Sequence, residues 1–287
     1  MKRCPMLRTS PLAFVLRPSS LVILHLSLAI CLSACGTVTT PPTMPVTLRI
    51  AGSTTMLPLL SDLAAAYAEQ HPHVRLLLEG GGSHVGLEQL EMRETDLAAC
   101  SWLPPREENT PQPYMATPIA WDGIAIIVHP DNAVDELTLL QVHHIYAGWT
   151  LDWQDVGGEA GDIVIVSRED GSGTRAAFEQ RVMGEEPVTL TAIVMPSSAA
   201  VVDYVARHRA AIGYVSMSYA DPTSVKVLRI EGTFPSPATV RGGPYHLSRP
   251  LYLVTPGRPS GEPRAFIDFA LSPAGQAIVG KRYGRIR

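Results

Sequence analysis

Short apolar runs recur along the chain, and most lead through a glycine- or hydroxyl-rich turn into a stretch with helical spacing. Residues 46–50 read as a strand. They pass through Ala51-Gly52-Ser53-Thr54-Thr55 into a segment where Leu59, Leu60, Leu63 and Tyr67 recur at helical spacing and Pro58 suits the first turn. Pro72 stops that helix. Residues 74–78 form the next strand, followed by Gly80-Gly81-Gly82-Ser83 and a helix from Leu87 to about Met92. Residues 96–101 read as a short buried strand. The apolar run 120–128 is long for one strand, as a strand passing between two lobes would be. Thr138 caps a short helix over 139–146 that Gly148 ends. Residues 162–166 are a buried strand, and a helix begins near Ala176. Residues 188–194 form a further apolar run, and Ser197 or Ser198 caps a helix with Val201, Val202 and Val205 on one face. Residues 211–215 are a second crossing strand, 251–254 another strand, and Ser272-Pro273 starts a last helix. Strands and helices alternate nearly throughout, which predicts an α/β fold with mainly parallel sheets.

The N-terminus breaks this pattern. Lys2, Arg3, Arg8 and Arg17 precede an apolar run over 21–31 that is too short to span a membrane as a helix. It ends at Leu32-Ser33-Ala34-Cys35, which resembles the lipobox of bacterial lipoproteins. The resemblance implies a lipoprotein signal peptide over 1–35, cleavage before Cys35 and lipid on its sulfur. Residues 36–45 are then a Thr/Pro-rich flexible tether. The first 35 residues hold four of the 23 basic residues and no acid, leaving 19 basic against 27 acidic residues, a net of −8. That balance argues against nucleic acid or an anionic membrane surface as partner. It leaves room for a small anion, because a local nest of donors outweighs a remote field. Cys4 and Cys31 leave with the signal, so Cys100 stays alone and neither a disulfide framework nor a metal cluster follows. No cofactor is called for.

The chemistry concentrates at Arg168-Glu169-Asp170-Gly171-Ser172-Gly173-Thr174-Arg175. A strand, a tight turn and a helix start together seat an anion. The first helical N–H groups lack intrahelical partners, the dipole adds partial positive charge, and the hydroxyls and arginines donate hydrogen bonds. Alone, the stretch reads equally as a Ser/Thr helix cap with a solvated arginine. Two further turns of the same kind, at Ser53-Thr54-Thr55 and Gly82-Ser83, change the balance. All three lie at carboxyl ends of predicted strands, where open α/β sheets bind ligands. Donors converging from three helix starts suit a dehydrated tetrahedral oxyanion.

These turns occur in order with the stretches 96–101, 122–128, 137–158, 211–216 and 266–276, and together they resemble the phosphate-binding proteins of bacterial phosphate ABC importers. The resemblance covers about residues 46–287. It implies a two-lobed type II periplasmic-binding-protein fold, with lobe I over 46–122 and 217–287, lobe II over 123–216, and two crossing strands between them. It further implies phosphate in the cleft, held by Thr54 and Thr55 with Ser53 adjacent, by Ser83, and by Arg168, Ser172, Gly173 and Thr174. Asp170 matches the acid that orients the arginine, and Arg175 serves closure or covers the surface. At Ser101-Trp102 the chain departs from the family, which has an aspartate or Ser-Arg there. Ser101 remains in the expected site, and Trp102 either covers the cleft or, the weightier reading, packs in the core.

The implied function is a lipid-anchored, monomeric extracytoplasmic binding protein that delivers phosphate to a membrane permease and touches the membrane only through its lipid. The alternatives are another tetrahedral oxyanion (sulfate, molybdate or tungstate) or a sensing role. A secreted phosphatase or serine hydrolase is disfavoured. Ser172 would need a base, and neither Gly-x-Ser-x-Gly nor His-Glu-x-x-His occurs. The adjacent His143 and His144 point to different helix faces, and His84 reads as a surface residue of its turn.

Overall fold

The computed structural model describes residues 44–105 and 114–286; Cys35, the signal and most of the tether lie outside them. Four strands carry the first half: β1 (Val46–Gly52), β2 (Val74–Glu79), β3 (Leu97–Cys100) and β4 (Met115–Val128). They are followed by β5 (Glu136–Leu137), β6 (Val164–Arg168), β7 (Ile193–Met195), β8 (Ala211–Ser216), β9 (Lys226–Val227), β10 (Arg229–Ile230) and β11 (Ser248–Thr255). The helices are α1 (Leu57–Gln70), α2 (Ser83–Glu91), α3 (Leu139–Tyr146), α4 (Gly173–Phe178), α5 (Ser198–Arg207), α6 (Pro237–Val240), α7 (Gly261–Leu271) and α8 (Pro273–Val279).

β4 organises the sheet. Its first part pairs antiparallel with β11, and residues 124–128 pair antiparallel with β8. The strand order is β2-β1-β3-β11-β4-β8-β6-β7, with β9 also beside β4. β1 is parallel to β2 and β3, and β6 is parallel to β7 and β8. A helix follows each of β1, β2 and β6, as the alternating pattern predicts.

Two cores form on either side of the crossing. Leu48, Ile50, Leu59, Leu63, Leu97, Leu251 and Phe266 pack together in the first lobe. Ile124, Ile126 and Val128 join Ile145, Phe178 and Tyr214 in the second. Ala125 and Ile127 face the other way, against Val166, Val201 and Val205. This half of β4 is therefore buried on both faces, which is why it reads as an unbroken apolar run. Pro58 and Pro273 lie in the first turns of α1 and α8, and Ser272 accepts the Gly275 N–H as cap. Thr138 and Gln141 form a reciprocal capping box on α3.

The structure differs from the sequence reading at several points of the fold. β8 pairs only with the second half of β4 and with β6, so it is not the second crossing strand. The chain recrosses instead at the start of β11, where Ile124 donates its N–H to Leu247 and Ser248 lies opposite Gly123. Between those points, Leu228, Ile230, Val240, Tyr245 and Leu247 pack with Ile124 and Ile126, so the packing does not change lobes at 216. Within 188–194 only Ile193 and Val194 pair with β6; Leu190 is fully exposed in a turn closed by the Ala192 N–H on Thr189. α2 begins at Ser83 rather than Leu87, because Gly82 at φ 103° ends the extended chain directly before it.

Candidate functional site

The three predicted turns converge where the lobes meet. Ser53 opens a short 3-10 turn (Thr54–Met56) after β1, Ser83 is the first residue of α2, and Ser172 caps α4 by accepting the Arg175 N–H. Ser101 follows β3 directly. Within the first lobe, Ser53 Oγ donates to Ser101 Oγ at 2.9 Å and Ser101 N donates to Ser83 Oγ at 3.1 Å. Across the lobes, Thr55 Oγ1 and Thr174 Oγ1 are 2.8 Å apart, and His84 N donates to Gly171 O at 3.2 Å. Ser53, Thr55, Ser83, Ser101, Ser172 and Thr174 are all buried, and Thr54 is half-buried. Such a concentration of buried hydroxyls is stable only where each has a partner.

Two glycines permit the close approach. A Cβ on Gly82 would lie 2.7 Å from Gly171 O. One on Gly173 would overlap Ser83 Oγ and come within 2.7 Å of Ser101 Oγ. The N–H groups that open α4 are thereby brought against the Ser83–Ser101 pair.

Arg168, the last residue of β6, is buried at 1% exposure. Its Nε and Nη2 donate to Glu169 at 2.9 and 2.7 Å, and its Nη1 donates to Ser198 Oγ at 3.2 Å. Nε also reaches Met195 O at 3.2 Å, and Nη2 reaches Thr54 Oγ1 of the other lobe at 3.4 Å. Glu169 is thus the acid that orients the arginine. Asp170, expected in that role, is 95% exposed and binds Arg175 Nη1 at 2.6 Å. The reason is local geometry: Glu169 has the longer side chain and adjoins Arg168 at the strand end, whereas Asp170 already lies in the turn. Arg175 stays with its own loop. It donates to Glu179 at 2.7 Å and to Arg168 O at 3.0 Å, which braces the 168–175 turn.

Sequence reasoning missed Arg249 and Asp122. They face each other across β11 and β4 at the crossing, both essentially fully buried. Arg249 Nε and Nη2 donate to Asp122 Oδ2 at 3.1 and 3.0 Å, and Ser216 Oγ donates to Asp122 Oδ1 at 2.7 Å. Burial pushes the Asp122 carboxyl up from its ordinary range, while the Arg249 charge and the Ser216 hydroxyl pull it back. A signal was present: the alternation of β11 puts Arg249 in the same inward phase as Leu251 and Leu253. A charge in a core phase calls for a buried partner.

The remaining candidates fall outside this cluster. Trp102 is half-buried and packs against the second-lobe core. His84 has an exposed ring beside Glu88 at 3.2 Å. His143 and His144 contact Trp149, and no group of metal-ligating side chains occurs among the described residues. No helix among them is long and apolar enough to cross a membrane.

A two-lobed α/β domain, crossed twice and with buried donors from both lobes at strand ends, defines a periplasmic-binding-protein class. The family model for the PBP superfamily domain matches residues 37–274. The phosphate-binding protein PstS of Bacillus subtilis is 30% identical over 227 residues, covering 78% of this chain and 75% of the relative. That of Borreliella burgdorferi is 26% identical over 241 residues, covering 80% and 86%. A solved structure described as a phosphate ABC transporter substrate-binding protein with bound phosphate, from Clostridium perfringens, superposes with a TM-score of 0.79 at 34% identity. It covers 84% of this chain and 100% of that one. An ABC-type phosphate transport receptor from Vibrio cholerae gives 0.68 at 30% identity, covering 83% and 99%. The chain belongs to the phosphate-binding proteins of bacterial phosphate ABC importers. These relatives are described as phosphate-binding proteins, and the two solved structures as a substrate-binding protein and a receptor of phosphate transport.

Proposed function

We propose that this protein captures inorganic phosphate between its lobes and delivers it to the permease of an ABC importer. The observation that carries this reading is Arg168, a buried guanidinium of the second lobe that reaches Thr54 of the first. Around it stand Ser53, Thr55, Ser83 and Ser101 on one side and Ser172, Gly173 and Thr174 on the other. These groups would replace the hydration shell of an acceptor-rich anion with hydroxyl, N–H and guanidinium donors. Lobe I would comprise 46–123 and 248–286 and lobe II 124–247, with Asp122 and Arg249 at the junction. The protein would act as a monomer, held at the cell envelope, in the periplasm or on the outer face of the membrane, by lipid on Cys35.

Isothermal titration against phosphate, sulfate, molybdate and tungstate tests the reading. Saturable heat with phosphate is the expected result. Heat with sulfate, molybdate or tungstate and none with phosphate would transfer the assignment to that oxyanion. Ser101 keeps this second reading open, because a hydroxyl both donates and accepts and so does not select a protonated anion as a carboxylate would.

A further inference from the structure

We propose that Arg249 is a positioning residue that couples lobe closure to the anion site by bridging Thr55 of the first lobe and Thr174 of the second. The inference rests on the cleft being the oxyanion site. Arg249 stands on the strand where the chain recrosses, and its Nε and Nη2 are fixed by Asp122 on the other crossing strand. Its remaining N–H groups point at both lobes. Nη2 lies 3.0 Å from Thr174 Oγ1 and 3.4 Å from Thr55 Oγ1, and Nη1 donates to Gly173 O at 3.1 Å. Only a planar fork anchored at the junction can reach these points at once. The contacts to Thr55 and to Gly173 with Thr174 coexist only while the lobes touch.

The bridge also sets hydrogen-bond polarity. A hydroxyl has one proton and two acceptor positions, and a guanidinium only donates. Thr55 and Thr174 lie 2.8 Å apart, so one of their two protons is spent between them. Arg249 fills acceptor positions on both oxygens. The second proton is then left to be given outward, toward an acceptor such as an unprotonated oxyanion oxygen. Arg249 thereby turns two ambivalent hydroxyls into a donor and contributes to anion selectivity without touching the anion.

The test combines calorimetry with a mutant cycle, using inorganic phosphate as the probe. Arg249→Lys keeps the charge but loses the fork, and should weaken phosphate binding about tenfold to a hundredfold. In a Thr55→Val/Thr174→Val background the same substitution should add little, because its route is already cut. An unchanged affinity in Arg249→Lys, or an equal loss in both backgrounds, overturns the proposal. If Arg249→Lys does not fold, Arg249→Gln in the same two backgrounds decides: a loss of affinity confined to the background with both threonines supports the bridge, and an equal loss in both refutes it. Small-angle scattering without any oxyanion gives an independent readout: Arg249→Lys should have the larger radius of gyration, and an unchanged radius again overturns the coupling. That comparison needs no ligand, so a wild-type protein that gives no heat with phosphate would sink the assigned function and leave this inference to be judged by scattering.

Discussion

Arg168 concentrates the electrostatics of the site in one side chain. Its guanidinium is paired with Glu169 and held by Met195 O and Ser198, which together fix its direction. Arg168→Ala should lower phosphate affinity about a hundredfold, as loss of a charge-assisted contact implies, and calorimetry reads the change directly. Glu169→Gln should weaken binding and Asp170→Asn should leave it nearly unaltered, since Asp170 braces only the exposed side of the turn. An equal effect of the two would contradict the orienting role of Glu169. Gly173→Ala should damage stability and binding together. The added methyl meets the buried Ser83 and Ser101 across the cleft. The expected result is a lowered melting temperature in thermal denaturation with affinity down more than about tenfold in calorimetry. Cys100 is a buried, inert thiol that burial pushes up to about 12. It should stay unlabelled by an alkylating reagent at about pH 8 and react once the chain is unfolded, as peptide mass mapping would register.

Among the elements, β4 carries most of the architecture, and α3 contributes no side chain to the cluster of buried hydroxyls. Ile126 is fully buried in the second core, and Ile126→Ala should destabilise the protein by about 2–5 kcal/mol in chemical denaturation. Thr138→Ala removes the α3 capping box and should cost about 1 kcal/mol while phosphate affinity stays at the wild-type value. A change in affinity there would mean that α3 communicates with the cleft. Element identity was legible where the apolar period was strong. The α1 face of Leu59, Leu60, Leu63 and Tyr67 is buried as its spacing predicts. It was illegible where hydrophobicity and burial part company. Leu190 lies in an apolar run yet is fully exposed, and α7 buries Phe266, Ile267 and Phe269 without having been read as a helix.

At the scale of the whole molecule, the cluster of buried hydroxyls exists only because the chain crosses between the lobes twice and brings their strand ends together. The contacts Thr55–Thr174, Arg168–Thr54 and His84–Gly171 all join residues far apart in the chain. The sequence by itself determined the α/β class, the three hydroxyl turns at strand ends, and the arginine that leads one of them. Those features are local: a strand–turn–helix step is written in neighbouring residues, and its helix start exposes donors wherever the rest of the chain goes. Only the tertiary structure decided which strand recrosses, that residues 225–247 pack with the second lobe, and that Glu169 rather than Asp170 holds Arg168. It also decided that Arg249 meets Thr174, 75 residues earlier in the chain. Long-range register brings Arg249 opposite Asp122, and a buried pair that neither short motif announces becomes the joint between the lobes.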